Sequence, residues 1–115
     1  MDPALDKPIL DAGMWVMPNT GHDVTSKIQR AIDEAAGRTV VFRPGVYFVN
    51  GALIKLNSGV SIVGYGVIFK LAAGSYSSMC VILGTGETPT WDAGVSETVG
   101  VRIYGLEIDG NAQNV

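Results

Sequence analysis

Cysteine occurs once in these 115 residues, at Cys80. A disulfide-stapled scaffold is therefore excluded. One His and one Cys also cannot make a four-ligand zinc site, so no metal is expected. Charge is sparse, with Asp, Glu, Lys and Arg at 17% of the chain, against about a quarter in an average globular protein. The 8 basic residues are scattered and outnumbered by 11 acidic ones, for a net charge of −3. That balance lacks the basic patch of a nucleic-acid binder. No apolar run reaches the roughly 18 residues of a membrane span, so no membrane insertion is expected. Met1 to Leu10 carry Asp2, Asp6, Pro3 and Pro8 where a signal peptide needs a basic start and an apolar run. The expectation is a chain not exported by that route, or one whose natural start has been removed. No Gly-rich phosphate loop leads into a helix, and no cofactor is expected.

What is present is 47% hydrophobic residues and 15 glycines. The length suits one domain. Residues 1–22 read as an irregular leading segment, because Pro3, Pro8 and Pro18 forbid a long helix. Residues 23–37 read as one amphipathic helix. Asp23 is placed to cap it, and Val24, Ile28, Ala31, Ile32 and Ala35 fall on one face. Gly37 suits a left-handed C-cap. From residue 38 to 115 only short β-rich runs appear, separated by Gly, Pro, Asn and Ser. Cys80, in Met79-Cys80-Val81-Ile82-Leu83, reads as a small buried hydrophobe.

The β region contains a repeat. Gly59-Val60-Ser61-Ile62-Val63-Gly64 recurs 41 residues on as Gly100-Val101-Arg102-Ile103-Tyr104-Gly105. Thr39-Val40-Val41-Phe42 echoes the first copy 21 residues upstream of Val60. A spacing near 20, then twice that, is a coil length for stacked β-strands, with glycines at the corners. The fold expected is all-β: a right-handed parallel β-helix, or solenoid, with an amino-terminal capping α-helix. An ordinary antiparallel sandwich is the competing reading.

Several segments carry a family likeness. Asp23-Val24-Thr25-Ser26-Lys27-Ile28-Gln29-Arg30-Ala31-Ile32-Asp33 resembles the helix that opens pectate-lyase-like right-handed parallel β-helices. Thr39 to Val49 looks like the next segment of that family, and Ser58 to Gly66 and Val101 to Asn111 are similar to its later coils. Val24, Arg43 and the short Thr20-Gly21-His22 lead-in depart from the family pattern. The family includes many phage tailspikes and appendages. The resemblance implies a helix across the amino-terminal end of the stack and a polysaccharide partner. It also implies a homotrimer in the intact protein and residence in the virion tail. It further implies an amino-terminal piece of a longer protein, with the main active site beyond Val115. A fragment of a secreted polysaccharide lyase or glycoside hydrolase, and a non-enzymatic structural or adhesive module, are the alternatives.

Candidate site residues follow from alternation. If Val101, Ile103, Leu106 and Ile108 point inward, then Arg102, Tyr104, Glu107 and Asp109 point outward. Glu107 and Asp109 are the candidate catalytic carboxylates, since a pair roughly 5 to 9.5 Å apart can cleave a glycosidic bond. Arg102, Tyr104, Asn111 and, in the 84–99 loop, Trp91 are candidate carbohydrate contacts. The plainer reading, preferred here, is a solvated strand face with Asp109 and Asn111 serving a turn. Trp91 is preferred as packed on the wall, and His22 as a loop residue. Val41, Val63 and Ile68 are outward yet apolar, which invites contact with the leading segment or with neighbouring subunits.

Overall fold

A computed structural model of the chain describes residues 9–73, 83–84 and 98–111. Cys80, Asp92, Trp91 and most of the 84–99 loop lie outside these residues.

The α-helix α1 spans Thr25–Ala35. Asp23 holds its start: Oδ1 accepts the Thr25 N–H at 2.9 Å and the Thr25 hydroxyl at 2.6 Å. The apolar stripe is fully used, because Val24, Ile28, Ala31, Ile32 and Ala35 are all buried. The helix ends on Ala36, which is itself left-handed at φ 50°, one residue before the glycine expected there. Arg38 then donates from its guanidinium to the carbonyls of Ala35 and Glu34, and from its backbone N–H to Ala35.

The described residues hold nine short strands. In chain order they are β1 (Leu10–Asp11), β2 (Thr39–Val41), β3 (Gly45–Val49), β4 (Ile54–Lys55), β5 (Ser61–Val63), β6 (Val67–Leu71), β7 (Leu83–Gly84), β8 (Arg102–Tyr104) and β9 (Glu107–Asp109). They form three sheets, β1-β2-β5-β8, β3-β6-β9 and β4-β7, and every pairing is parallel.

The expected all-β solenoid is corrected by this arrangement. The described residues form a small α/β domain with several parallel sheets and one helix, and no solenoid is shown. The strands are two to five residues long. The helix packs against β2 and β4 and shares their core. The physical reason for the difference is what a repeat encodes. It specifies which strands can pair, and not how many layers follow or what else shares their core.

The pairing itself is tightly specified. Ile62 lies beside Ile103, so the 41-residue repeat is a strand register. On the other side Val40 lies beside Ile62, an offset of 22 rather than the 21 of the sequence echo. The difference matters because a one-residue slip turns every side chain to the other face. The observed register buries Val40 and Ile62 and leaves Val41 and Val63 half-exposed outside.

Aromatic rings fill the centre. Phe42, Tyr47 and Phe69 meet edge to face in a triangle, with centroids 5.5 to 5.8 Å apart. The Tyr47 hydroxyl donates to the Arg43 carbonyl at 2.6 Å, so a buried phenol has its partner. Burial pushes its pKa up to about 12, against the opposing effect of that hydrogen bond. One corner column consists of Gly37, Gly59 and Gly100, all with φ between 75° and 81°. A Cβ on Gly37 would sit 2.8 Å from the Ser58 carbonyl oxygen, so the column needs glycine for space as well as conformation.

Candidate functional site

The candidate residues stand at the last strands of two sheets. Arg102 and Tyr104 are on β8, and Glu107 and Asp109 are on β9. The turn between them passes through Gly105, at φ 73°. The exposed Tyr65 ring lies so close over Gly105 that a Cβ there would clash with its Cδ1. The structure divides the four residues into two pairs on different sheets. Trp91 lies outside the described residues.

Register fixes the surroundings of each residue. Tyr104 extends the outward column Asp11, Val41, Val63. Arg102 extends Thr39 and Ser61. Glu107 follows Val46 and Ile68, and Asp109 follows Phe48 and Lys70. Arg102, Tyr104 and Glu107 are exposed. Asp109 is only half-exposed and has structural duties. One oxygen accepts the Asn111 N–H at 2.8 Å, and the other lies 3.8 Å from Lys70 Nζ. Asn111, left-handed at φ 50°, donates its side-chain amide to the Leu71 carbonyl at 2.9 Å. Both residues therefore stabilise the chain after β9, in line with the preferred sequence reading of a turn.

The two carboxylates of β9 have different surroundings. A glycosidase needs two carboxyl groups, one of them free to give or take a proton. Here Asp109 is engaged by Lys70 and a backbone amide, and Glu107 is solvated. Among the described residues no cluster of three or more His, Cys, Asp or Glu could hold a metal ion. None of their helices is long and apolar enough to cross a membrane.

Sequence reasoning missed the polar groups that organise the opposite end. Gln29 clamps the backbone of Lys55: its amide donates to Lys55 O at 2.9 Å, and its Oε1 accepts Lys55 N–H at 2.7 Å. Asn19 does the same for Val46, accepting its N–H at 2.9 Å with Oδ1 and donating its own backbone N–H to Val46 O at 2.7 Å. Val24 N–H donates to Phe48 O, and the Thr25 hydroxyl accepts Asn50 N–H. The available signal was a Gln among the charged residues Lys27, Arg30, Asp33 and Glu34 on the outer helix face. Arg43 ties the leading segment down by donating to Asp11 at 2.7 Å, which holds the Asp11 carboxyl below its usual range. The Gly13 N–H adds to that shift.

The site belongs to the end strands of a parallel α/β domain. Comparisons with protein-family models, with curated proteins and with solved structures each give no match to this chain.

Proposed function

We propose that this chain is a non-catalytic polysaccharide-binding part of a phage tailspike- or appendage-type protein that engages host-surface polysaccharide at the virion tail. The reading rests on the sequence resemblance over residues 23–111. The observation that carries it is the pairing of Arg102 with Tyr104, exposed two residues apart on one face of β8. A guanidinium donates to sugar hydroxyls or acids, and a phenol ring stacks on a sugar face. Backbone pairing to β5 keeps both on a rigid element. The engagement of Asp109 by Lys70 and Asn111 favours binding over cleavage. A homotrimer in the intact protein belongs to the same reading, and the half-exposed outward Val41, Val63 and Ile68 support it.

The test is an array of purified bacterial surface polysaccharides probed with the protein, with Tyr104→Ala and with Arg102→Ala. Binding to one or more glycans that falls at least about tenfold in each variant, roughly 1.4 kcal/mol, supports the reading. Binding that is absent, or unchanged in both variants, contradicts it. Shortening of the bound glycan that stops in Glu107→Gln would replace it with the hydrolase or lyase alternative.

A further inference from the structure

We propose that Asn50-Gly51 is a self-modification site, at which spontaneous deamidation, gated by the bonds between Asn50 and the start of α1, turns Asn50 into a carboxylate and releases the helix start. The argument is independent of any polysaccharide role.

The sequence supplies the reactive pair. Of the five asparagines, Asn50 is the one followed by glycine. A glycine has no side chain to shield its backbone nitrogen, so that nitrogen can reach the carboxamide of the residue before it. The fold also needs the glycine. Gly51 has φ 86°, in the left-handed region, where another residue would be strained. The reaction is an intramolecular displacement. The Gly51 nitrogen, once its proton is lost to hydroxide, attacks Asn50 Cγ. A new C–N bond forms, the Cγ–Nδ2 bond breaks, and the amide leaves as ammonia with a proton taken from water. Water then opens the cyclic imide at either carbonyl, giving aspartate or its β-linked isomer. The net change is one water consumed and one ammonia released.

The structure governs this chemistry at three atoms. Asn50 N–H donates to Thr25 Oγ1 at 2.9 Å, Nδ2 donates to Asp23 Oδ2 at 2.9 Å, and Oδ1 accepts the Ala52 N–H at 2.8 Å. Both ends of the carboxamide are held, and Gly51 is buried, away from hydroxide. Attack turns Cγ from planar to tetrahedral and must detach Nδ2 from Asp23, so conversion proceeds from an opened joint. The same bonds carry the consequence. Asp23 Oδ1 accepts the N–H and the hydroxyl of Thr25, so Asp23, Thr25 and Asn50 form one closed network joining the end of β3 to the start of α1. Replacing the amide by a carboxylate sets two acidic oxygens where Nδ2 and Asp23 Oδ2 meet, with no donor between them. The network then cannot re-form. Conversion runs one way: the open joint allows it, and the product keeps the joint open.

The test is incubation of the whole protein at mildly alkaline pH, with mass mapping of the tryptic peptide 39–55, in which Asn50 is the one Asn. Conversion to the acid should be at least about tenfold slower in the folded protein than in that peptide free in solution. Asp23→Ser keeps an oxygen to cap the helix but removes the acceptor of Nδ2, and should speed conversion in the folded protein about tenfold. Asn50→Asp copies the product, whereas Asn50→Ala removes the side-chain bonds without adding a charge. Amide exchange at Thr25 should be about threefold faster in Asn50→Asp than in Asn50→Ala, with exchange at Ile62 the same in both. Conversion as fast as in the free peptide, or unaltered by Asp23→Ser, would show that the network does not gate the reaction. Equal exchange at Thr25 in Asn50→Asp and Asn50→Ala would show that the product does not release the helix start. Either result would overturn the proposal.

Discussion

The two ends of this domain solve the same problem differently. Each parallel sheet must stop somewhere, and a stopped sheet leaves backbone groups and core side chains without cover. At the amino-side end, side chains and short segments cover them. Asn19 bonds both groups of Val46, Gln29 bonds both groups of Lys55, and α1 buries its apolar stripe over the core. At the β8/β9 end nothing of this kind occurs among the described residues, and Ile103 and Ile108 stand half-exposed. Among the described residues, the edge groups of one end have side-chain partners, and the apolar side chains of the other are partly exposed.

The sharpest way to break the comparison is to place the same substitution at both ends of one column. Ile62→Asp puts a charge at a fully buried position and should cost on the order of 4 kcal/mol, enough to unfold a small domain. Ile103→Asp, one layer on, should cost below about 1 kcal/mol, because the carboxylate reaches water. Urea melts of the two variants measure this directly, and equal losses would mean that the outer layer is as closed as the inner one.

The next effect concerns the covered end. Gln29→Ala leaves the N–H and C=O of Lys55 without their partner and should lower stability by about 1–2 kcal/mol. Gln29→Glu should not rescue it, since a carboxylate accepts from Lys55 N–H but repels Lys55 O. Chemical denaturation of both variants is the check.

A smaller effect lies in the core between the ends. Tyr47→Phe loses the bond to Arg43 O and should cost about 1 kcal/mol at neutral pH. It also changes the alkaline limb. The phenol's pKa is raised in the fold to about 12, above the unfolded value of 10.0. The protonated phenol therefore adds stability that is complete below pH 10 and is lost as pH climbs through about 12. Melting temperatures from pH 9 to 12 should fall more steeply for the natural protein than for Tyr47→Phe.

The smallest effect is at the surface. Asp11, held below its ordinary value of 3.8 by Arg43 and Gly13, adds stability above that value and loses it as pH falls through its lower folded value. The small difference in melting temperature between the protein and Asp11→Asn should shrink to nothing in that acid range. A difference that persists there would assign the latch to something other than charge.

The legible and illegible parts of the sequence separate along the same lines. The helix could be read because five apolar residues recur at helical spacing, and the 41-residue repeat could be read because both copies keep G-V-x-I-x-G. The expectation of an all-β solenoid overreached, because strand repeats report pairing partners while the helix that shares their core contributes no repeat. The Val40–Ile62 register was missed by one residue, since short strands separated by glycines offer no fixed count. Asn19 and Gln29 were unreadable as edge caps. Their work depends on which backbone they face, and sequence alone does not state that. At the site, alternation placed Arg102, Tyr104 and Glu107 outward and the glycine spacing marked a corner at Gly105, while the membership of the two strands in different sheets follows only from their pairing.

Amide hydrogen exchange on the native protein tests the contrast between the ends most directly. Val46 and Lys55 lie on edge strands, yet their N–H groups are held by Asn19 and Gln29. The N–H of Ile103 faces the open edge. Val46 and Lys55 should therefore exchange at least about tenfold more slowly than Ile103. Protection of Ile103 equal to that of Val46 would show the β8/β9 edge to be closed and would contradict this contrast.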